Sequence, residues 1–451
     1  MRILPSLVHS RKILNLALPV IAGLSTQMLL SLVDTGMVGR LPDSEYTLAA
    51  MGLGLLATWA IVSLCSSLST GTHILVARRF GANDYDACRD VLFNSFILTG
   101  AVGIVIAILG WFLSETIAGL FAKDPKVAVY TAEYMKWRFL GLPFFMITVS
   151  YRGFFFGIGN VKVFMTSAII VNLLNILFNY MFIYGEFGAP RMGLAGASIG
   201  SSLATVCDAI FYFIVSVSYS RYRKRFNIFS QLKLIPDIVR SILKLSVPVS
   251  FQNIFILIGF LSFVAITGLL STEKQAASQA IISTLFISFL PCNGFGIAVQ
   301  TLVGNHLGKG QINLAKIYGY ETAKVASVYT IFLAIIYIFF PEAFLLITTN
   351  NPEIIREAVP AIRVAGFAQI FFASGLVFAY ALQSTGKTVF VMGTEVITNL
   401  LIFVPVSYLL GIVVFKSLEG AWMALPVYTI TYSIVMYSKF RFGDWKGMKK
   451  I

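Results

Sequence analysis

The chain has 451 residues and a formal net charge of +14; 57% of it is hydrophobic, only 12% is charged, and the mean hydropathy is +0.83. Soluble domains average about 45–50% apolar and about 25% charged residues. The composition therefore excludes a water-soluble enzyme, a nucleic-acid-binding module and a disordered chain. Four cysteines (Cys65, Cys88, Cys207, Cys292) lie far apart and three histidines (His9, His73, His306) are scattered, so neither a disulfide framework nor a metal cluster is expected.

A helix needs about 20 apolar residues to cross a bilayer. Such runs fall near 14–38, 48–75, 91–113, 130–157, 161–185 and 193–219. A second set falls near 243–270, 275–305, 318–340, 358–384, 388–414 and 417–438. Short turns at Gly157–Gly159–Asn160 and Gly386–Lys387 separate two of the pairs. A cleavable signal peptide is not expected, because the first apolar run is long and lacks a small-residue cleavage site.

Charge sets the expected orientation. With the N-terminus inside, twelve spans return the C-terminus inside, and 24 of the 34 Lys and Arg residues fall in cytoplasmic segments. The other 10 are counted with the outer loops. The densest block (Arg221, Arg223, Lys224, Arg225, Lys233, Arg240, Lys244) separates spans six and seven and suits contact with anionic lipid, not nucleic acid. The expected division is an N-lobe at 1–219, a basic linker at 220–242, a C-lobe at 243–438 and a basic tail at 439–451. A helical multi-pass protein of this kind belongs in an inner or plasma membrane, since outer-membrane proteins are barrels.

The halves resemble each other at an offset of about 227. Val76-Ala-Arg-Arg-Phe-Gly81 matches Val303-Gly-Asn-His-Leu-Gly308, and Gly159-Asn-Val-Lys-Val-Phe-Met165 matches Gly386-Lys-Thr-Val-Phe-Val-Met392. Asn172-Leu-Leu matches Asn399-Leu-Leu, and Gly196-Ala matches Gly420-Ala at an offset of 224. Each half has six spans, so the repeats run parallel, related by an axis along the membrane normal. The expected fold is an all-α membrane protein: twelve transmembrane helices in two pseudo-symmetric six-helix lobes around a central cleft.

Three acids stand out within the spans: Asp34, Asp208 and Glu395. A charge at the bilayer centre costs about 2.5–3.5 kcal/mol on insertion scales, so each should face protein or water. Asp34 lies late in the first span. Asn172, Asn175 and Asn179 of span five follow i, i+3, i+7 spacing and share one helix face. A row of amides alone is helix glue; beside an aspartate at matching depth it reads as a site. Asp208 shares a face with Ser201 and is a candidate relay. Glu395 reads as a structural or snorkelling residue. Burial favours a neutral carboxylate and nearby donors favour the charged form. A site balanced between them exchanges a proton, and each inward charge gains about 2.3 kcal/mol per 100 mV. Sodium fits the same oxygen donors.

These residues also carry a resemblance. Leu16-Ala-Leu-Pro19, Val33-Asp-Thr-Gly-Met-Val-Gly-Arg-Leu41, Leu48-Ala-Ala-Met-Gly52, Ala77-Arg-Arg-Phe-Gly81 and Gly193-Leu-Ala-Gly-Ala197 resemble the multidrug and toxic compound extrusion (MATE) transporters over nearly the whole chain. The resemblance implies export of drugs against H+ or Na+, with no other cofactor. It implies that Asp34 is the cation-coupling residue, that Asn175, Asn179 and Ser201 occupy polar positions around it, and that Pro19 is where the first helix bends. Relatives with a C-lobe cation site carry acids in spans seven and ten. Here those spans offer Gln252, Asn253, Tyr380 and Gln383, which are read instead as candidate cavity residues together with Asn172. The branch with only an N-lobe aspartate fits better, and protons are favoured over sodium.

The 39 phenylalanines and the methionines within spans suit amphipathic organic substrates. The partners expected are such molecules and membrane lipids, for a monomeric protein. A lipid-linked oligosaccharide or lipid flippase of the same superfamily is the alternative, with Arg152 the clearest basic residue near a lobe interior. A membrane-embedded enzyme handling diphosphates is disfavoured, because no span holds an Asp-Asp or Asp-x-x-Asp pair.

Overall fold

Long apolar runs close their backbone hydrogen bonds internally, as hydrocarbon demands, and every regular element among the described residues is helical. The computed structural model describes residues 5–228 and 233–447. Parts of the expected linker (229–232) and tail (448–451) lie outside the described residues.

The first half runs α1 (Leu7–Val38), α2 (Ser44–Ser66), α3 (Leu68–Gly81), α4 (Tyr85–Phe121), α5 (Pro125–Leu140), α6 (Leu142–Gly157), α7 (Val161–Tyr184), α8 (Gly193–Ser218) and the short α9 (Ser220–Phe226). The second runs α10 (Pro236–Leu270), α11 (Thr272–Gly308), α12 (Ile312–Phe339), α13 (Pro341–Leu345), α14 (Pro352–Ser384), α15 (Thr388–Val396), α16 (Val404–Tyr408), α17 (Leu418–Trp422) and α18 (Ala424–Phe442). Ten segments are long and apolar enough to span a membrane, α2 and α3 counting together. An eleventh span is the pair α5–α6, bent by 48°. The twelfth expected span is the pair α17–α18. Many helices overrun their apolar windows by several residues, because their polar ends continue the same hydrogen-bond ladder. Wide-turned π segments, Ile397–Phe403 and Leu409–Val414, flank α16. Pro405 lies between them, where its missing N–H disrupts regular α pairing.

The chain forms two compact units, Ala22–Ser250 and Met1–Ile21 with Phe251–Ile451. These boundaries differ from the expected division at 219 and 243. Helices α1 and α10 each begin in one unit and continue into the other. Each crosses two residues after an internal proline, Pro19 and Pro248.

In the Ala22–Ser250 unit, α7 packs on α8, α3 on α6, and α4 on α5 and α6. Its core gathers Phe139, Phe154, Phe155, Tyr151 and Tyr212. A hydroxyl ladder ties three helices in its interior: Thr72 to Ser95 at 2.7 Å, Ser95 to Ser150 at 2.7 Å, and Thr99 to Ser150 at 2.8 Å. Such hydrogen bonds replace the hydrophobic drive that lipid removes. In the other unit α14 is central, packed by α11, α12 and α18, around Phe295, Tyr320, Phe378 and Phe440.

Candidate functional site

Helices α7 and α8 touch closely because α8 carries Gly196 and Gly200 one turn apart. A Cβ at Gly200 would strike the Asn179 side chain, and one at Gly196 would strike the Phe182 carbonyl. This close approach sets the polar face of α7 against α8 and the later part of α1. There Asn179 donates from Nδ2 to Asp34 Oδ1 (2.8 Å) and to Asn175 Oδ1 (2.8 Å). Asn175 in turn donates from Nδ2 to Ser201 Oγ (3.1 Å). Asn175, Asn179 and Ser201 are buried, and Asp34 is half-buried. Tyr134 and Arg138 of α5 lie within electrostatic range of Asp34. The structure therefore joins Asp34, Asn179, Asn175 and Ser201 in one continuous chain. Asn172 is not part of it: its Nδ2 is buried without a partner, as is Asn179 Oδ1.

Asp208 lies apart, seven residues or about 10 Å beyond Ser201 along α8. Its Oδ2 accepts from Arg152 Nη2 at 3.2 Å, and its Oδ1 accepts from the Ser167 hydroxyl. The Arg152 guanidinium also lies over Phe145 and Phe164, 5.6 and 5.3 Å from the ring centroids. A carboxylate held in this way is an ion-pair partner, and no described hydrogen bond links it to the Asp34 chain. The ion pair joins residues on two different helices, α6 and α8, a pairing that sequence spacing does not show.

In the other unit Glu395 is 2% exposed and accepts a 2.6 Å hydrogen bond from the Tyr428 hydroxyl. Tyr432, Asn399 and Gln252 lie next to it. Gln383 donates to Gln252 at 3.1 Å, and Tyr380 donates to Asn293 at 2.9 Å; Asn253 is half-buried. Glu395 thus faces protein and does not snorkel. The repeat relates this cluster to the Asp208 pair. At the offsets of 227 and 224, Ser167 corresponds to Thr394 and Asp208 to Tyr432. The acid has moved to the opposite helix of an equivalent junction. Glu321 of α12, another buried acid, accepts from the Ser6 N–H (2.6 Å) and Lys324 (2.7 Å).

Arg138 lies inside the bent span α5–α6, within the expected span at 130–157, and α5 runs unbroken through it to Leu140.

Two units of bent and continuous apolar helices, with a carboxylate–amide chain inside one of them, define a multi-pass helical membrane protein. A MatE family model matches residues 19–181 and 248–409, one match in each half, so the chain belongs to the MatE family. It is 26% identical to the probable multidrug resistance protein NorM of Thermotoga maritima, covering 97% of this chain and 93% of that one. It is 26% identical to the corresponding Pseudomonas putida protein, over 98% and 95%. A solved structure of a MOP superfamily transporter from Pyrococcus furiosus superposes with a TM-score of 0.87 at 20% identity, over 96% and 95% of the two chains. A multidrug resistance MATE family transporter in an outward-facing conformation gives 0.85 at 21% identity, over 96% and 95%.

Proposed function

We propose that the protein is a secondary active multidrug exporter that moves amphipathic or cationic organic compounds out of the cell by alternating access, driven by cation entry through Asp34. The observation that carries this reading is the Asp34–Asn179–Asn175–Ser201 chain. It places an ionisable carboxylate, unpaired with any base in the described residues, at the head of a row of buried amides. An intramembrane carboxylate so placed marks an ion pathway. The multidrug resistance relatives supply the substrate class, and two units joined by proline-interrupted helices suit a transporter that rocks between states.

The coupling ion in this reading is the proton. Asp34 receives one amide donor, from Asn179, and no second carboxylate, and one carboxylate with amide and hydroxyl oxygens is a sparse cage for a metal ion. The protein then sits in the inner or plasma membrane with both termini cytoplasmic. The test is ethidium flux in proteoliposomes of the wild-type protein. An imposed pH gradient should drive uphill movement with sodium absent. Flux driven by a sodium gradient alone would keep the exporter and replace the ion; flux driven by neither would end the reading.

A further inference from the structure

We propose that the Ala22–Ser250 unit holds a compact anion-binding pocket at the break of the α5–α6 span, centred on the Arg138 guanidinium, which takes the carboxylate head of an amphipathic solute. Arg138 is the fourteenth residue of α5, which starts at Pro125, about 20 Å along the helix axis. Arg89 and Arg152 in the same unit are both ion-paired, with Asp86 and Asp90 and with Asp208. Arg138 has no ion pair or side-chain hydrogen bond among the described residues. Asp34 is in electrostatic range but beyond ion-pair distance. Arg138 stands in the last turn of α5, half-buried, and all of its guanidinium donors remain open to an anion.

The space for such an anion is present. A cavity of about 70 Å³ is lined by Arg138, Thr58, Val62, Phe139, Phe145 and Thr205. That holds a carboxylate or a few waters but not a whole drug-sized molecule, whose pockets run to about 300–1,000 Å³. The cavity therefore suits a head group whose apolar body lies along Val62 and Phe145. Arg138 is the only charged residue in its lining. The Thr58 and Thr205 hydroxyls spend their protons on the carbonyls of Gly54 (2.7 Å) and Ser201 (2.9 Å), so they do not compete with the guanidinium as donors.

The break keeps the space open. Gly141 separates the two helices, and a Cβ there would lie 2.6 Å from Ser202 Oγ. The Ser202 hydroxyl donates to the Trp137 carbonyl (2.7 Å) and so satisfies the end of α5. Helix α6 starts at Leu142 on the cavity wall.

The test uses a matched pair of fluorescent probes, dansylglycine, which carries a carboxylate, and the neutral dansylglycinamide. Both are titrated into purified full-length protein. The wild type should bind dansylglycine about tenfold more tightly, the size of one charge-assisted hydrogen bond. Arg138→Gln should erase that preference and Arg138→Lys should keep part of it. Equal binding of both probes by the wild type overturns the proposal even if Arg138→Gln fails to fold; so does a preference that survives in a folded Arg138→Gln protein. No ion gradient enters the measurement, so its failure leaves the exporter reading untouched.

Discussion

At the residue scale, one carboxamide does most to define the environment of Asp34. Asn179 uses both amide protons, one on Asp34 and one on Asn175, and no other described side chain bonds the carboxylate. Asn179→Ala removes that donor and leaves Asn175 Oδ1 without its bond. Gradient-driven efflux should fall about tenfold, the loss of one charge-assisted hydrogen bond, while the protein remains folded; unchanged efflux would mean that the bond does not serve Asp34. The Asp208–Arg152 pair predicts a different phenotype. Breaking a buried pair strands the other charge and costs about 3–5 kcal/mol. Asp208→Asn should therefore lower the melting temperature clearly, and Arg152→Met combined with Asp208→Leu should recover much of it. Equal losses in single and double variants would contradict the pairing. The Asp34 chain was legible in the sequence because its amides sit at helical spacing on one segment. The Asp208–Arg152 and Glu395–Tyr428 pairs were not, because each joins two helices and only packing sets which faces meet.

At the element scale, the small residues of α8 and the prolines of α1 and α10 carry the argument. Gly196 and Gly200 let α8 lie against α7, and with it position Asn179. Gly200→Leu forces these helices apart. Overpacking costs about 1–3 kcal/mol, and both folded yield and efflux should drop. A fully active Gly200→Leu protein would show that the contact is dispensable. Hydropathy was enough to find the spans, since a chain in lipid must hide its backbone polarity. It did not reveal the break at Gly141, because Leu140, Leu142 and Pro143 keep the run apolar across it. It also did not reveal that α1 and α10 change units after Pro19 and Pro248. These two prolines occupy comparable positions in the two halves, and a proline frees a backbone carbonyl and bends its helix. Pro248→Ala and Pro19→Ala should each leave the melting temperature unchanged or raised while slowing transport. Wild-type turnover in both would remove the prolines from the transport cycle.

At the scale of the whole molecule, the repeat is structural and its chemistry is unequal. The family model matches each half once, and the fold follows from twelve apolar runs read in order. The ionisable groups are not duplicated. Asp34 corresponds to Leu261 at the offset of 227, and Glu395 of the second unit stands on α15, where the first unit has Ala168. A repeat constrains backbone and packing, and each half then carries its own polar groups. The division of labour predicted here puts ion coupling in the Ala22–Ser250 unit. The most direct measurement compares the wild type and Asp34→Asn in proteoliposomes, with two readouts on the same preparation: uphill ethidium transport driven by a pH gradient, and ethidium-for-ethidium exchange with no gradient. The account predicts that Asp34→Asn loses the driven transport and keeps the exchange, since the substitution removes the titrating group but preserves size and hydrogen bonding. Driven transport at the wild-type rate in Asp34→Asn would contradict it.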